Sequence, residues 1–165
     1  MLRGAMKLGF AIIAGSFLLT ACSSTKEEAP VTTTTTPTSA IKAGSAEDFR
    51  VNVGDTVLFD TDQHSVRGDA QSILQKQAAW LKQYPAVRLM VEGHCDERGT
   101  REYNLALGDR RAYAVKEFLV SLGVDAARLQ TKSYGKERPV CAEADDSCWQ
   151  QNRRGFSVIS AGAGS

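Results

Sequence analysis

Two opposite charges fifteen residues apart are the first candidates for chemistry in this sequence: the carboxylate of Asp96 and the guanidinium of Arg111. Asp96 sits in a glycine-bracketed stretch, Gly93-His-Cys-Asp-Glu-Arg-Gly99, and Arg111 stands two to three turns into the helical pattern that follows. Asn104, seven residues before Arg111, shares its helical stripe, and Leu107 falls between them. A carboxylate and a guanidinium at a fixed separation can hold a zwitterion. The first takes an ammonium and the second takes a carboxylate through two parallel N–H bonds. The same pair can equally be a surface salt bridge beside a helix start, worth about 0–1 kcal/mol. The residues alone leave both readings open.

Other reactive side chains are less promising. His94 and Cys95 are neighbours at the end of a strand pattern and point to opposite faces, so they cannot easily share a ligand. A catalytic Cys–His pair is usually close in space rather than in sequence, and the other histidine is His64. Cys95 therefore reads as a small, partly buried loop residue and His94 as a local packing or hydrogen-bonding group. Asp60 with Asp62, and Asp96 with Glu97, lie within single loops and do not stand out as acid–base couples. There is no GxSxG, no HExxH and no glycine-rich phosphate loop. Nothing here supports an enzyme.

The elements that must position Asp96 and Arg111 follow from periodicity. Phe49, Val51 and Val53 alternate with Arg50 and Asn52, predicting a strand, and a second short strand is expected at 56–59. Ser65 is the expected N-cap of a helix whose apolar face is Val66, Ala70, Ile73, Leu74, Gln77 and Leu81, closed by Pro85. Val87 to Glu92 is rich in branched apolar residues and reads as an interior strand. Thr100 should cap the next helix, with Leu105, Gly108, Ala112, Val115, Leu119 and Leu122 facing the core and Gly123 ending it. A strand at 129–134, a polar excursion over 135–152 and a last strand at 156–160 complete an α+β pattern. Its layout is a mixed sheet with two helices mainly on one face.

The first part of the chain is of another kind. Residues 1–21 carry Arg3 and Lys7, then a short apolar run over 8–19, too short to span a bilayer comfortably. The run ends Leu19-Thr20-Ala21-Cys22, which is similar to a bacterial lipobox, so 1–21 reads as a lipoprotein signal peptide and Cys22 as the lipidated residue. Multiple acyl chains anchor firmly, at about 0.8 kcal/mol per buried CH₂. Residues 22–46 hold Pro30, Pro37 and five consecutive threonines, and read as a flexible tether with a mean reach of roughly 25–30 Å. Residues 47–165 form the expected folded domain. Removing the leader lowers Lys+Arg from 20 to 18 against 19 acids, so a formal charge of +1 becomes −1. No basic surplus points to nucleic acid. In an exported chain, the short loop between Cys141 and Cys148 predicts a disulfide worth roughly 2–3 kcal/mol. Zinc would need two further ligands and a different spacing, so no metal is expected.

Gly93-His-Cys-Asp-Glu-Arg-Gly99, followed by Asn104, Leu107 and Arg111-Ala112, resembles the GHTDxxGxxxxNxxLSxxRA signature of OmpA-like peptidoglycan-binding domains, over roughly residues 51–160. The lipobox, the tether, Ser133-Tyr-Gly-Lys-Glu-Arg-Pro139 and Asn152-Arg-Arg154 extend the likeness to lipoproteins of the Tol–Pal system. The resemblance implies a mixed sheet of about four strands with two principal helices. It implies a ligand, the diaminopimelate-bearing peptide stem of peptidoglycan, with Asp96 as the acidic contact, Arg111 as the basic one, and Asp62, Asn104 and Leu107 on the rim. It also implies TolB, and by extension TolA, as partners, no cofactor beyond the lipid on Cys22, and an outer-membrane anchor with the domain facing the periplasm. Thr61 stands where the family often has an aromatic residue, Cys95 where it has Thr, and Gly108 where it has Ser. A cell-wall hydrolase, or a lipoprotein activator of one, is the alternative; it would share export and wall contact but need a titratable pair or metal ligands in the site.

Overall fold

The computed structural model describes residues 41–164. The leader, Cys22 and most of the tether lie outside the described residues. The described part is α+β, as its periodicity predicts. It contains helices α1 (Ala46–Asp48), α2 (Gly68–Gln83), α3 (Arg101–Ser121) and α4 (Asp146–Asn152), and strands β1 (Thr56–Leu58), β2 (Arg88–His94), β3 (Leu129–Gly135) and β4 (Arg154–Ala161). The strands form one sheet in the order β1-β4-β2-β3. β4 runs antiparallel to both β1 and β2, and β2 runs parallel to β3, with α3 as the crossover between them.

The sheet has a covered face and an open one. Val57, Leu89, Val91 and Leu129 are buried on the covered face, where they meet Leu74 and Leu81 of α2 and Ala112, Val115 and Leu119 of α3. Thr56, Leu58, Met90, Glu92 and Phe156 alternate with these residues and are only half-buried. One polar bridge crosses the core: Gln77 of α2 donates to the Gly54 carbonyl at 2.7 Å and accepts from Ser157 Oγ at 3.0 Å. The pair satisfies groups that burial would otherwise strand.

Three local expectations are corrected. Residues 49–53 are not a strand but a π-helical turn continuing α1. Ser45 caps α1 by accepting from Asp48 N, and the Asp48 carboxylate accepts from Gly44 N and from the indole of Trp80 at 2.8 Å. Phe49 then turns inward onto Trp80 and Val53 packs half-buried against the core, while Val51 stays exposed. The α2 cap is Arg67, not Ser65; its guanidinium pairs with Asp69 and Asp60 in place of a side-chain cap on the backbone. On α3, Leu105 faces solvent, whereas Leu107 and Arg111 face inward; Leu122, just past the helix end, packs half-buried against the core as expected. Thr100 does cap α3, accepting from Tyr103 N at 3.2 Å, and Gly123 follows the helix at φ +89°.

The approach of α3 to β2 is set by two glycines. A Cβ on Gly93 would overlap the Gly108 carbonyl, and one on Gly108 would overlap Ser133 Oγ and the Gly93 backbone. Gly108 thus permits a backbone-to-backbone contact with Gly93 at the level of the Asp96 loop. Among the described residues no helix is long and apolar enough to cross a membrane.

Candidate functional site

β2 ends at His94, and the chain leaves the sheet through Cys95 and Asp96 before turning at Gly99, which sits at φ +87°. Asn104 holds that turn from α3 by donating to the carbonyls of Arg98 and Thr100 at 2.7 and 3.1 Å. Lys136 holds it from below, with Nζ donating to the carbonyls of Glu97 and Gly99 at 2.9 and 2.6 Å. These bonds fix the one carboxylate of the loop that is buried, Asp96, at 6% exposure.

The Asp96 carboxylate accepts from Arg98 N at 3.1 Å, from Arg98 Nη2 at 2.8 Å and from Arg153 Nη1 at 3.1 Å. Burial pushes its pKa up, but the bonds from Arg98 and Arg153 outweigh burial and hold it below the ordinary carboxylate value. Asp96 is therefore ionised at neutral pH. The two arginines differ. Arg153 is buried and also donates to the Phe59 carbonyl and to Gln150. Arg98 is 42% exposed along its side chain, also reaches Thr61 Oγ1 at 3.3 Å, and lies over the Trp149 ring at 4.4 Å.

Arg111 is wholly buried, and its guanidinium is not the free fork that its position in the sequence suggests. Nε donates to the Gln63 carbonyl at 2.8 Å, Nη1 to the His94 carbonyl at 2.8 Å and Nη2 to the Asp60 carbonyl at 3.0 Å. Three of its five N–H groups thus tie the loop after β1 to the end of β2. Burial lowers its pKa from an arginine's very high ordinary value. The loop it holds carries Asp62, a non-glycine residue at φ +60°, whose carboxylate accepts a hydrogen bond from the Tyr103 hydroxyl.

Asp62, Asp96, Asn104, Leu107 and Arg111 all line one open pocket of about 360 Å³. Thr61, Cys95, Arg98 and Tyr103 line it too. Leu107, 4% exposed, supplies apolar surface, while the Asn104 amide protons are turned onto the loop. Periodicity does not single out Arg98, Tyr103 or Arg153, and the Asn152-Arg-Arg154 motif marks Arg153 without placing it beside Asp96. Arg98 is two residues from Asp96 and Tyr103 is in the first turn of α3, so proximity offered a signal for those two; Arg153 arrives from the far end of the chain. The buried Cys95 thiol donates to the Asn104 carbonyl at 3.3 Å, and burial raises its pKa. A disulfide joins Cys141 to Cys148, and α4, which starts within that loop, carries Trp149 to the pocket side, where its indole donates to Glu97 at 3.1 Å. Among the described residues no group of three or more His, Cys, Asp or Glu side chains could hold a metal ion.

Comparison with known proteins follows the same geometry. Residues 58–153 match the model of the OmpA family. A peptidoglycan-associated lipoprotein of Mesorhizobium japonicum is 61% identical over 126 residues, covering 76% of this chain and 74% of that protein. One from Haemophilus influenzae is 41% identical over 151 residues, covering 87% and 92%. The crystal structure of the peptidoglycan-associated lipoprotein from Burkholderia pseudomallei superposes with a TM-score of 0.63 at 45% identity, covering 64% of this chain and 90% of that one. The C-terminal domain of Helicobacter pylori MotB, 23% identical with a TM-score of 0.61, shares the fold.

Proposed function

The chain belongs to the OmpA family, among the peptidoglycan-associated lipoproteins, and from that premise we propose that it binds the peptide stem of peptidoglycan noncovalently, at diaminopimelate. The observation that carries this reading is the charge pattern of the pocket. Ionised Asp96 and the rim carboxylate Asp62 share one cavity with the guanidinium groups of Arg98 and Arg111. Diaminopimelate ends in an ammonium and a carboxylate on one carbon, and each finds an opposite charge here. The ammonium lies against Asp96, with Asp62 beside it. The carboxylate meets the buried positive charge of Arg111 and its remaining N–H groups, with the partly exposed guanidinium of Arg98 beside it. The stem's methylenes rest on Leu107.

Specificity follows from what lysine-type stems lack. They have no second carboxylate, so the positive side of the pocket would face no anion, and a site built for a charged group rejects a ligand without it. Binding of this kind needs no bond to be made or broken, and the relatives' names describe an association, not a reaction.

The rest of the reading is organisational. Residues 1–21 are a lipoprotein signal, Cys22 carries the lipid and 22–46 tether the domain. The protein is then anchored in the outer membrane, faces the periplasm and links membrane to wall within the Tol–Pal system, with TolB and TolA as partners in envelope integrity and cell division. What supports this is the lipobox-like sequence and the likeness to lipoproteins. The direct test is sedimentation of the full chain with sacculi of diaminopimelate and lysine types. Retention by the first alone is expected; equal retention would sink the oriented-pocket mechanism.

A further inference from the structure

The open face of the sheet carries a second groove that shares no residue with the Asp96 pocket. It measures about 260 Å³ and lies between the β1–β4 pair and the loop around Val140. Leu58, Phe156 and Val140 make its apolar lining, and Val140 is 62% exposed. Arg154 also lines it, from β4, and is only 7% exposed. One arm of that guanidinium, Nη2, donates to the Arg138 carbonyl at 3.2 Å. The other, Nη1, is buried and finds no hydrogen-bond partner among the described residues. A buried arginine ordinarily has its N–H groups paired.

The surroundings do not neutralise this charge fully. Toward the opposite edge of the sheet, on and just after β3, Lys132 and Arg138 both lie over the Tyr134 ring, at 4.8 and 3.8 Å. The carboxylate that acts on Arg154 is Glu92, which also accepts from His94 Nε2 at 3.3 Å. An apolar groove around an incompletely paired, desolvated cation is complementary to a carboxylate flanked by hydrocarbon. Its size is below the roughly 300–1,000 Å³ of sites that enclose a whole small ligand. Thr56 and Leu58 line it from β1, which is an edge strand of the sheet. These features suit side chains that enter from a segment remaining outside, and a walled groove suits them better than it suits a flat lipid surface.

We propose that this groove is a second binding site, taking a peptide segment of a partner protein that presents an acidic side chain between apolar ones. The apolar side chains cover Leu58, Phe156 and Val140, and the carboxylate accepts from Arg154. Such a site would let the domain hold a protein on its open face while the Asp96 pocket is occupied.

The test is titration of the ¹⁵N-labelled full chain with the blocked tripeptide acetyl-Leu-Asp-Leu-amide, followed by amide chemical shifts. Saturating shifts at Leu58, Val140 and Phe156 are expected. The acetyl-Leu-Asn-Leu-amide peptide should bind about tenfold more weakly, because it keeps the shape but loses the charge-assisted bond. Val140→Asp, a surface change that leaves Arg154 in place, should weaken the acidic peptide to a similar degree while binding to sacculi is unchanged. Equal binding of the two peptides, shifts confined to the Asp96 pocket, or shifts at the groove with phosphatidylglycerol vesicles but not with peptide would overturn the proposal.

Discussion

Replacing Arg111 with lysine separates a ligand-binding role from a structural one. A simple ligand contact predicts a variant that folds normally and binds poorly. The three carbonyl bonds predict something else. The guanidinium spans the carbonyls of Asp60, Gln63 and His94 with three different nitrogens, whereas a lysine ammonium places all its donors on one atom. At least two of the three bonds are lost. At about 1.5–3 kcal/mol each for a charged donor, partly recovered by relaxation, Arg111→Lys should cost roughly 3–5 kcal/mol of stability. That is a sizeable share of the roughly 5–15 kcal/mol typical of a domain, and on the order of 10–20 °C in Tm for a chain of this size. Thermal unfolding followed by near-ultraviolet circular dichroism gives the stability, and binding to a diaminopimelate stem peptide by calorimetry, below the melt, gives affinity. Both should fall together, because the loop carrying Asp62 loses its anchor. A variant that melts like the parent but no longer binds would refute the clamp, and one unchanged in both would remove Arg111 from the site altogether.

Asp96→Ala should weaken stem-peptide binding by about 2–5 kcal/mol, at least roughly thirtyfold, because it leaves Arg98 and Arg153 facing no carboxylate; calorimetry checks it, and near-parental affinity would exclude Asp96 as a contact. Cys22→Ser should move the protein from the membrane fraction to the soluble periplasm, and full membrane retention would overturn the lipid anchor. Alkylation and mass spectrometry of the native protein should find Cys141 linked to Cys148 and Cys95 blocked only after denaturation, since Cys95 is buried; a Cys95-containing disulfide would count against this pairing. His94 is buried beside Arg154 and Arg138, and burial first, then these charges, lower its pKa to about 4 from an ordinary 6.5. The unfolded chain binds the proton first, so stability present above pH 6.5 should be lost as pH falls through about 4, by roughly 3 kcal/mol in all. Urea unfolding at pH 7 and 4.5, compared with His94→Gln, checks this, and an identical pH dependence in the variant would exclude it.

The order of elements was legible because it rests on periodicities that tertiary packing did not override. The branched run from Val87 became the interior strand β2, and the Thr100 cap and Gly123 stop bracket α3. Residues 49–53 were not legible, because alternation over five residues fits a strand or one wide helical turn. What decided between them was the distant indole of Trp80 bonding to Asp48. α4 was hidden for a related reason. Its seven residues are too few to show an apolar stripe, and their order rests on the Asp145 cap and on Asn152, whose amide receives the N–H groups of Val140 and Cys141.

The candidate site divides along the same physical line. Asp96, Asn104, Leu107 and Arg111 could be picked out because one loop and one helix carry them at fixed spacing, and a local element delivers what it carries. How those groups are used could not be read that way. Asp96 is kept charged partly by Arg153, fifty-seven residues on, and Arg98 lies on a ring supplied by α4. Arg111 meets carbonyls on two other segments. A guanidinium in a sequence looks like an available donor, yet inside a fold its N–H groups are drawn first to carbonyls that would otherwise be buried unpaired. In this pocket the arginine that spacing marks is the one holding the walls, and the arginine whose side chain stays partly exposed beside Asp96, Arg98, is one that no spacing rule selects.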